Sequence, residues 1–265
     1  MAEKTATVTF ESVMSGLKAG NYAPSYLLMG EEAYYIDQIA DFIAEHAIKP
    51  EERDFNQQIV FGADVTGAQV ADMARSYPVM AERQVIIVKE AQNIKNWDQL
   101  ERYLEKPAKT TVLVVCYKNG TIDGRKKILT RFKNAGVVFE SKKKRDYELP
   151  PFIEAYLKKR TKVTIENKAA QMLADHIGAD LSRLTGEIDK LLLSLEEGDT
   201  RITPQMVEKR IGISKDFNAF ELRSAIAAKD VVKANLILKY FDSNPKTGGA
   251  FALIPVIFSY FQNLM

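Results

Sequence analysis

Five short stretches rich in Val, Ile and Leu, each followed by a segment of helical period, constrain this chain more than any other feature. They are "SYLLMG" (25–30), "RDFNQQIVFG" (53–62), "RQVIIVKEA" (83–91), "TTVLVVCYK" (110–118) and "VVFESK" (137–142), with the length and β-branched content of strands. Helices are predicted over 31–47, with Tyr35, Ile39, Phe42 and Ile43 on one face, over 66–76, around 97–104, and over 123–136, where Gly136 ends the run. Nearly continuous apolar strands separated by helices imply a parallel sheet covered on both faces. The first part of the chain therefore reads as an α/β domain, 1–145.

The pattern changes after "SKKKRDYELPP". From Phe152 onward every apolar period is helical and no strand run recurs. Ile177, Leu181, Leu184, Ile188, Leu191 and Leu195 step by fours and threes, with Gly178 as a break and Asp180 as a new N-cap. The run is too short and interrupted for a coiled coil, so a small antiparallel bundle is expected. Thr203 as N-cap, Pro204 as first helical residue and Gly212 past the end define a closing helix, which makes 146–213 a three-helix domain. From Asp216 two more helices are expected, joined by a tight turn at Lys229 and Asp230. The apolar "AFALIPVIFSYFQNLM" then runs to Met265, and 214–265 is predicted to be the first part of a further helical domain.

Charge gives little global direction, with 37 Lys plus Arg against 35 Asp plus Glu, so any basic surface must be local. Cys116 sits in "TVLVVCY" and reads as a small buried hydrophobe; a single cysteine excludes a disulfide framework. His46 and His176 have no metal-ligand spacing and read as structural, so no metal is expected. No apolar run approaches the ~20 residues that span a bilayer. With no signal-like N-terminus, a cytoplasmic protein that does not meet a membrane is expected.

Gly30 stands where a nucleotide-binding fold puts its phosphate loop, GxxxxGK[ST]. Here the residues are Gly30, Glu31, Glu32, Ala33, Tyr34, Tyr35, Ile36 and Asp37. The two glutamates complement the positive end of the following helix, the end that phosphate would need. "VIIVKEAQ" has the shape of the strand that carries a Mg²⁺-binding acid, but Lys89 holds the metal-facing place and Glu90 follows. Two defects at cooperating positions argue against nucleotide hydrolysis, so no cofactor and no catalytic residue are expected. The rival is a phosphate-loop ATPase whose site lies elsewhere.

Two other stretches point to partners. In "ARSYPVMAERQ" (74–84), Pro78 ends the preceding helix and leaves Tyr77, Val79 and Met80 on a connection. Apolar residues there either cap the core or anchor a partner. Between 118 and 145 lie Lys118, Arg125, Lys126, Lys127, Arg131, Lys133, Lys142, Lys143, Lys144 and Arg145 against Asp123 and Glu140, ten positive charges against two negative. The stretch is either a solvated face with a charged linker or a contact for DNA phosphates or an acidic partner.

Taken in order and spacing, "YLLMGEEAYYIDQIADFI", "YPVMAERQVIIVKEAQ", "GADLSRLTGEIDKL" (178–191) and "FNAFELRSAIAAKD" (217–230) resemble the delta subunit of the bacterial DNA polymerase III clamp loader, over nearly the whole chain from about residue 20. The resemblance implies a RecA-like AAA+ parallel-sheet domain, a small helical lid bundle and the start of an all-α collar domain. It also implies a non-catalytic subunit of the polymerase holoenzyme, a nucleotidyltransferase complex, acting in DNA replication. Its partners would be the sliding clamp (beta), the ATPase and delta-prime subunits, and primer-template DNA in the assembled complex. Delta subunits insert an adjacent apolar pair into a pocket on the clamp. The pair aligns here with Val79 and Met80, ahead of Ala81, Glu82, Arg83 and Gln84, so the clamp-binding residues implied are Tyr77, Pro78, Val79 and Met80. Neither member of the pair is aromatic, and Tyr77 is the ring nearest to them. The residues implied for DNA or partner contact are Arg125, Lys126, Lys127, Lys142, Lys143, Lys144 and Arg145. On the lid, "ADLSRLTG" has Ser182 where ATP-binding relatives carry a phosphate-sensing arginine, with Arg183 one place later. The family's collar extends beyond a point like Met265.

Overall fold

A computed structural model of the chain describes residues 8–196, 198–211, 218–243 and 249–264; Gly212, Asp216 and Met265, named above, lie outside them. The chain divides into two compact units, 1–143 and 144–265.

The first unit runs α1 (Phe10–Lys18), β1 (Ser25–Gly30), α2 (Ala33–His46), α3 (Arg53–Asn56), β2 (Gln57–Phe61), α4 (Gly67–Arg75), β3 (Gln84–Lys89), α5 (Asp98–Tyr103), β4 (Thr111–Lys118), α6 (Lys127–Ala135) and β5 (Val137–Ser141). All five strands are parallel, in the order β2-β3-β4-β1-β5. Side chains of a strand alternate between faces, and both faces here are apolar. Leu27, Met29, Ile86, Val88, Leu113 and Val115 meet α4, α5 and α6; Tyr26, Leu28, Val85, Ile87, Val112 and Val114 meet α1 and α2. The mixed α/β class with a parallel sheet covered on both sides is the one expected.

Three local readings need correction. The stretch 53–62 is not one strand. Arg53 to Asn56 form a helical turn and pairing begins at Gln57, because Pro50, Glu51 and Glu52 start a 3-10 turn that feeds α3. The helix expected from Glu31 begins at Ala33, with Glu32 as its N-cap. At the other end of the sheet's sequence, α6 covers only Lys127–Ala135 of 123–136, since Asp123 turns the chain by accepting from the Arg125 N–H at 2.9 Å. Helix α1 was not foreseen; a Thr9–Ser12 capping box starts it.

The second unit holds α7 (Leu149–Arg160), β6 (Thr164–Ile165), α8 (Asn167–Ile177), α9 (Leu181–Leu193), β7 (Arg201–Ile202) and α10 (Pro204–Ile211), then α11 (Ala219–Ala227), α12 (Val231–Ser243) and α13 (Gly249–Leu264). Between 146 and 211 there are four α-helices among the described residues, not three. The expectation that strands stop is also overturned, because β6 and β7 pair in parallel through Thr164–Arg201 and Ile165–Ile202. Two-residue strands are too short to show alternation, which is why the pattern hid them. Asp180 caps α9 by accepting from the Arg183 N–H at 2.9 Å, and Leu181, Leu184, Ile188 and Leu191 are buried, as the spacing implied. Thr203 accepts from the Met206 N–H at 3.4 Å at the start of α10. Leu222, Ile237, Phe241 and Leu253 join α11, α12 and α13. Among the described residues no helix is long and apolar enough to cross a membrane.

Two features of the sheet give direct tests. Gly30 has φ +137°, and a Cβ there would stand 2.0 Å from the Ser141 carbonyl oxygen. Gly30→Ala must both strain the backbone and push β5 away, so it is expected to cost about 3 kcal/mol, read as a lowered midpoint in urea unfolding. Cys116 is fully buried and burial, with Asp37 nearby, pushes its thiol up to about 12. The native protein is expected to leave a thiol reagent unreacted at pH 8 and to release one equivalent on denaturation.

Candidate functional site

In an open parallel sheet the usual ligand crevice lies outside the carboxyl ends of the strands, where the strand order reverses. Here that crevice borders β1. Its turn is committed to the protein: Glu32, 5% exposed, accepts from the Tyr34 N–H at 3.0 Å, and its own N–H points to the Ser141 carbonyl at 3.4 Å. Glu31 is exposed. At the ends of β3 and β4, Lys89 and Lys118 pair with two carboxylates one turn apart on α2, Asp41 at 3.6 Å and Asp37 at 2.6 Å. Glu90 turns the chain with φ +51°. Glu32, Lys89 and Lys118 thus each have a partner within the chain. Among the described residues no group of three or more His, Cys, Asp or Glu is arranged to hold a metal.

The connection 76–83 lies at the opposite edge, before the amino end of β3. Helix α4 stops at Arg75, with the Ser76 N–H donating to Met73, and Pro78 prevents its resumption. Tyr77 is 86% exposed, Val79 54% and Met80 97%, the last with φ +52°. Of the two readings left open by the sequence, the core lid is excluded for these side chains.

The exposed tip is nevertheless tied down on both sides. Buried Asn56 accepts from the Val79 N–H at 2.6 Å and donates from Nδ2 to the Val79 carbonyl at 3.0 Å, and to the Glu52 carbonyl at 3.0 Å. Gln84, also buried, donates from Nε2 to the carbonyls of Ser76 and Met73 and to Thr111 Oγ1, whose hydroxyl donates to the Ala74 carbonyl. These bonds hold the end of α4, the tip and β3 in one frame. Sequence reasoning missed Asn56 and Gln84, since each reads as an ordinary polar residue beside a strand. The available signal was an amide just before β2 and another at the start of the neighbouring β3.

The same edge carries a cavity of about 520 Å³, lined by residues that include Ser12, Asn21, Tyr22, Tyr26 and Arg83. Arg83 lies 5.0 Å over the Tyr22 ring. Burial raises the Tyr22 and Tyr26 hydroxyls above their ordinary range, opposed by the charge of Arg83 and, for Tyr26, by the Ala23 N–H that donates to it.

The basic stretch is less concentrated than its sequence. Lys118 is paired as above, Arg131 lies 2.6 Å from Glu105, and Arg125 is bidentate to Asp123, whose carboxyl it holds below the usual range. Lys126 and Lys127 are exposed at the start of α6, and Lys142, Lys143 and Arg145 are exposed along the chain between the units. Lys144 lies 5.8 Å over the Phe152 ring. Phe132 and Phe139, the stretch's phenylalanines, are buried and offer no face for base stacking. Ser182 and Arg183 are exposed on the first turn of α9.

Residues 26–142 match the family model of the DNA polymerase III delta subunit. The DNA polymerase III subunit delta of Bacillus subtilis is 30% identical over 225 residues, 81% of this chain; the chain spans 64% of that relative's length. The solved Bacillus subtilis DNA clamp loader delta protein YqeN superposes with a TM-score of 0.66 at 25% identity, over 94% of this chain and 75% of that one. A Thermotoga maritima RuvB structure, at 21% identity and a TM-score of 0.47 over 82% of this chain and 74% of its own, is too distant to add weight. In sequence and in fold the chain is similar to DNA polymerase III delta subunits.

Proposed function

We propose that this chain is a non-catalytic clamp-loader subunit that binds the sliding clamp through the Tyr77–Met80 loop and helps open the ring during DNA replication in the cytoplasm. The exposure of Tyr77, Val79 and Met80 on a loop fixed at both ends carries the reading. Large apolar side chains held in water by a rigid frame contribute nothing to the core and suit an apolar pocket on a partner. Binding that favours an opened or distorted ring would shift the clamp toward it by mass action. In this reading 146–213 serves as the lid and 214–265 as part of the collar, and ATPase and delta-prime subunits are its neighbours. The internal pairing of Lys89, Lys118 and Glu32 supports assigning ATP hydrolysis to those neighbours. Arg125, Lys126, Lys127, Lys142, Lys143, Lys144 and Arg145 are the residues proposed to approach primer-template DNA in the assembled loader.

The test is a calorimetric titration of the cognate clamp. Val79→Ala/Met80→Ala is expected to weaken binding at least tenfold, about 1.4 kcal/mol or more, with little change in unfolding midpoint because both side chains are exposed. Equal affinity in the variant and parent would overturn the loop's assignment. A second measurement addresses the nucleotide: fluorescent ATP with Mg²⁺ is expected not to bind the chain at micromolar concentration, and saturable binding there would favour the ATPase alternative.

A further inference from the structure

We infer that Asn56 is a positioning residue for the Tyr77–Met80 loop, setting before any encounter the shape in which Val79 and Met80 are presented; this rests on the reading that the loop is what meets the clamp. The side chain is 3% exposed and comes from α3, more than twenty residues away in sequence. Its amide pairs with the Val79 backbone as a neighbouring strand would, taking the N–H and giving to the carbonyl, while its second amide hydrogen goes to the Glu52 carbonyl. Val79 therefore has its backbone satisfied from one side and its side chain turned toward solvent. Met80 follows in the left-handed region, at φ +52°, which an L-residue with a long side chain adopts only where its surroundings enforce it. Met80 is 97% exposed, so its own packing cannot supply that enforcement. The bracket on the residue immediately before it can.

The second brace narrows the role. Gln84 and Thr111 tether Ser76, Met73 and Ala74, which fixes where the loop leaves α4 and enters β3. They leave the tip itself undetermined. Among the hydrogen bonds described for the residues of this loop, those from Asn56 are the side-chain bonds that reach its tip. The adjacent Phe55 is 74% exposed, so the turn that points Asn56 inward also carries an outward ring.

Losing the bracket should lower the fraction of molecules whose loop is competent, and apparent affinity falls by that fraction. Ordering the loop on binding would then be charged against the interface. Two measurements on the full chain decide the matter. By amide hydrogen exchange, the Val79 N–H is expected to exchange at least tenfold faster in Asn56→Ala while β3 and β4 amides keep their protection; unchanged Val79 exchange overturns the bracket without reference to any partner. By titration with the cognate sliding clamp, Asn56→Ala is expected to weaken binding about tenfold and to add no loss in the Val79→Ala/Met80→Ala background. A merely structural role would lower the unfolding midpoint and add its loss in both backgrounds. Parental affinity in Asn56→Ala beside a weakened Val79→Ala/Met80→Ala removes this inference and leaves the loop's function standing. Parental affinity in Val79→Ala/Met80→Ala removes the function, and the exchange measurement still decides whether Asn56 sets the loop. Should Asn56→Ala fail to fold, Asn56→Ser, whose shorter side chain no longer spans to Val79, carries both measurements with the outcomes stated for alanine.

Discussion

Parallel strands cannot be joined by tight turns, so every connection in the first unit must cross a face of the sheet. That requirement puts α2 on one side, where α1 packs beside it, and α4, α5 and α6 on the other, and it aligns all five amino ends along one edge and all five carboxyl ends along the opposite edge. Whatever the unit does at its surface is therefore divided between two edges with different neighbours. Each edge has been filled in its own way by a few side chains.

At the carboxyl edge the filling is ionic. Two carboxylates on one face of α2, Asp37 and Asp41, meet the lysines that end β4 and β3, and Glu32 caps the same helix. Each charge satisfies another in the same chain, and the partly buried pairs keep their attraction better than exposed ones would. At the amino edge the filling is by neutral amides, which need no counter-charge and can hold backbone in an irregular course. Asn56, just before β2, and Gln84, at the start of β3, do this, so the loop between α4 and β3 inherits the rigidity of the sheet rather than the freedom of a surface connection. The exposed tip is thus a property of the sheet's register as much as of its own residues.

The sheet was legible in the sequence because buried strands announce themselves by unbroken apolar runs, as in "TTVLVVCYK" and "RQVIIVKEA". Helix α9 was legible for a similar reason, through Asp180 as cap and a regular spacing of leucines. What escaped were elements whose stability comes from elsewhere. The turn Arg53–Asn56 is made helical by the Pro50 start before it, and β6 and β7 exist by pairing with each other across intervening helices. The loop could be located from Pro78 and its apolar neighbours, but not its exposure. Whether Val79 and Met80 faced core or water depended on Asn56, 23 residues earlier, and no local pattern encodes that distance.

The left-handed position of this loop is held by Met80 and not by a glycine. A glycine would reach φ +52° without strain, yet it would remove the side chain that the tip displays and add freedom to a chain that must stay ordered in water. Methionine at that position keeps an unbranched, adaptable apolar arm on a backbone made narrow by its neighbour's hydrogen bonds. In the proposed role, flexibility is confined to the side chain, where an apolar pocket can select among rotamers, and is withheld from the backbone, where each added degree of freedom would weaken docking. Asn56 makes that division workable, because its amide restrains Val79 without covering it.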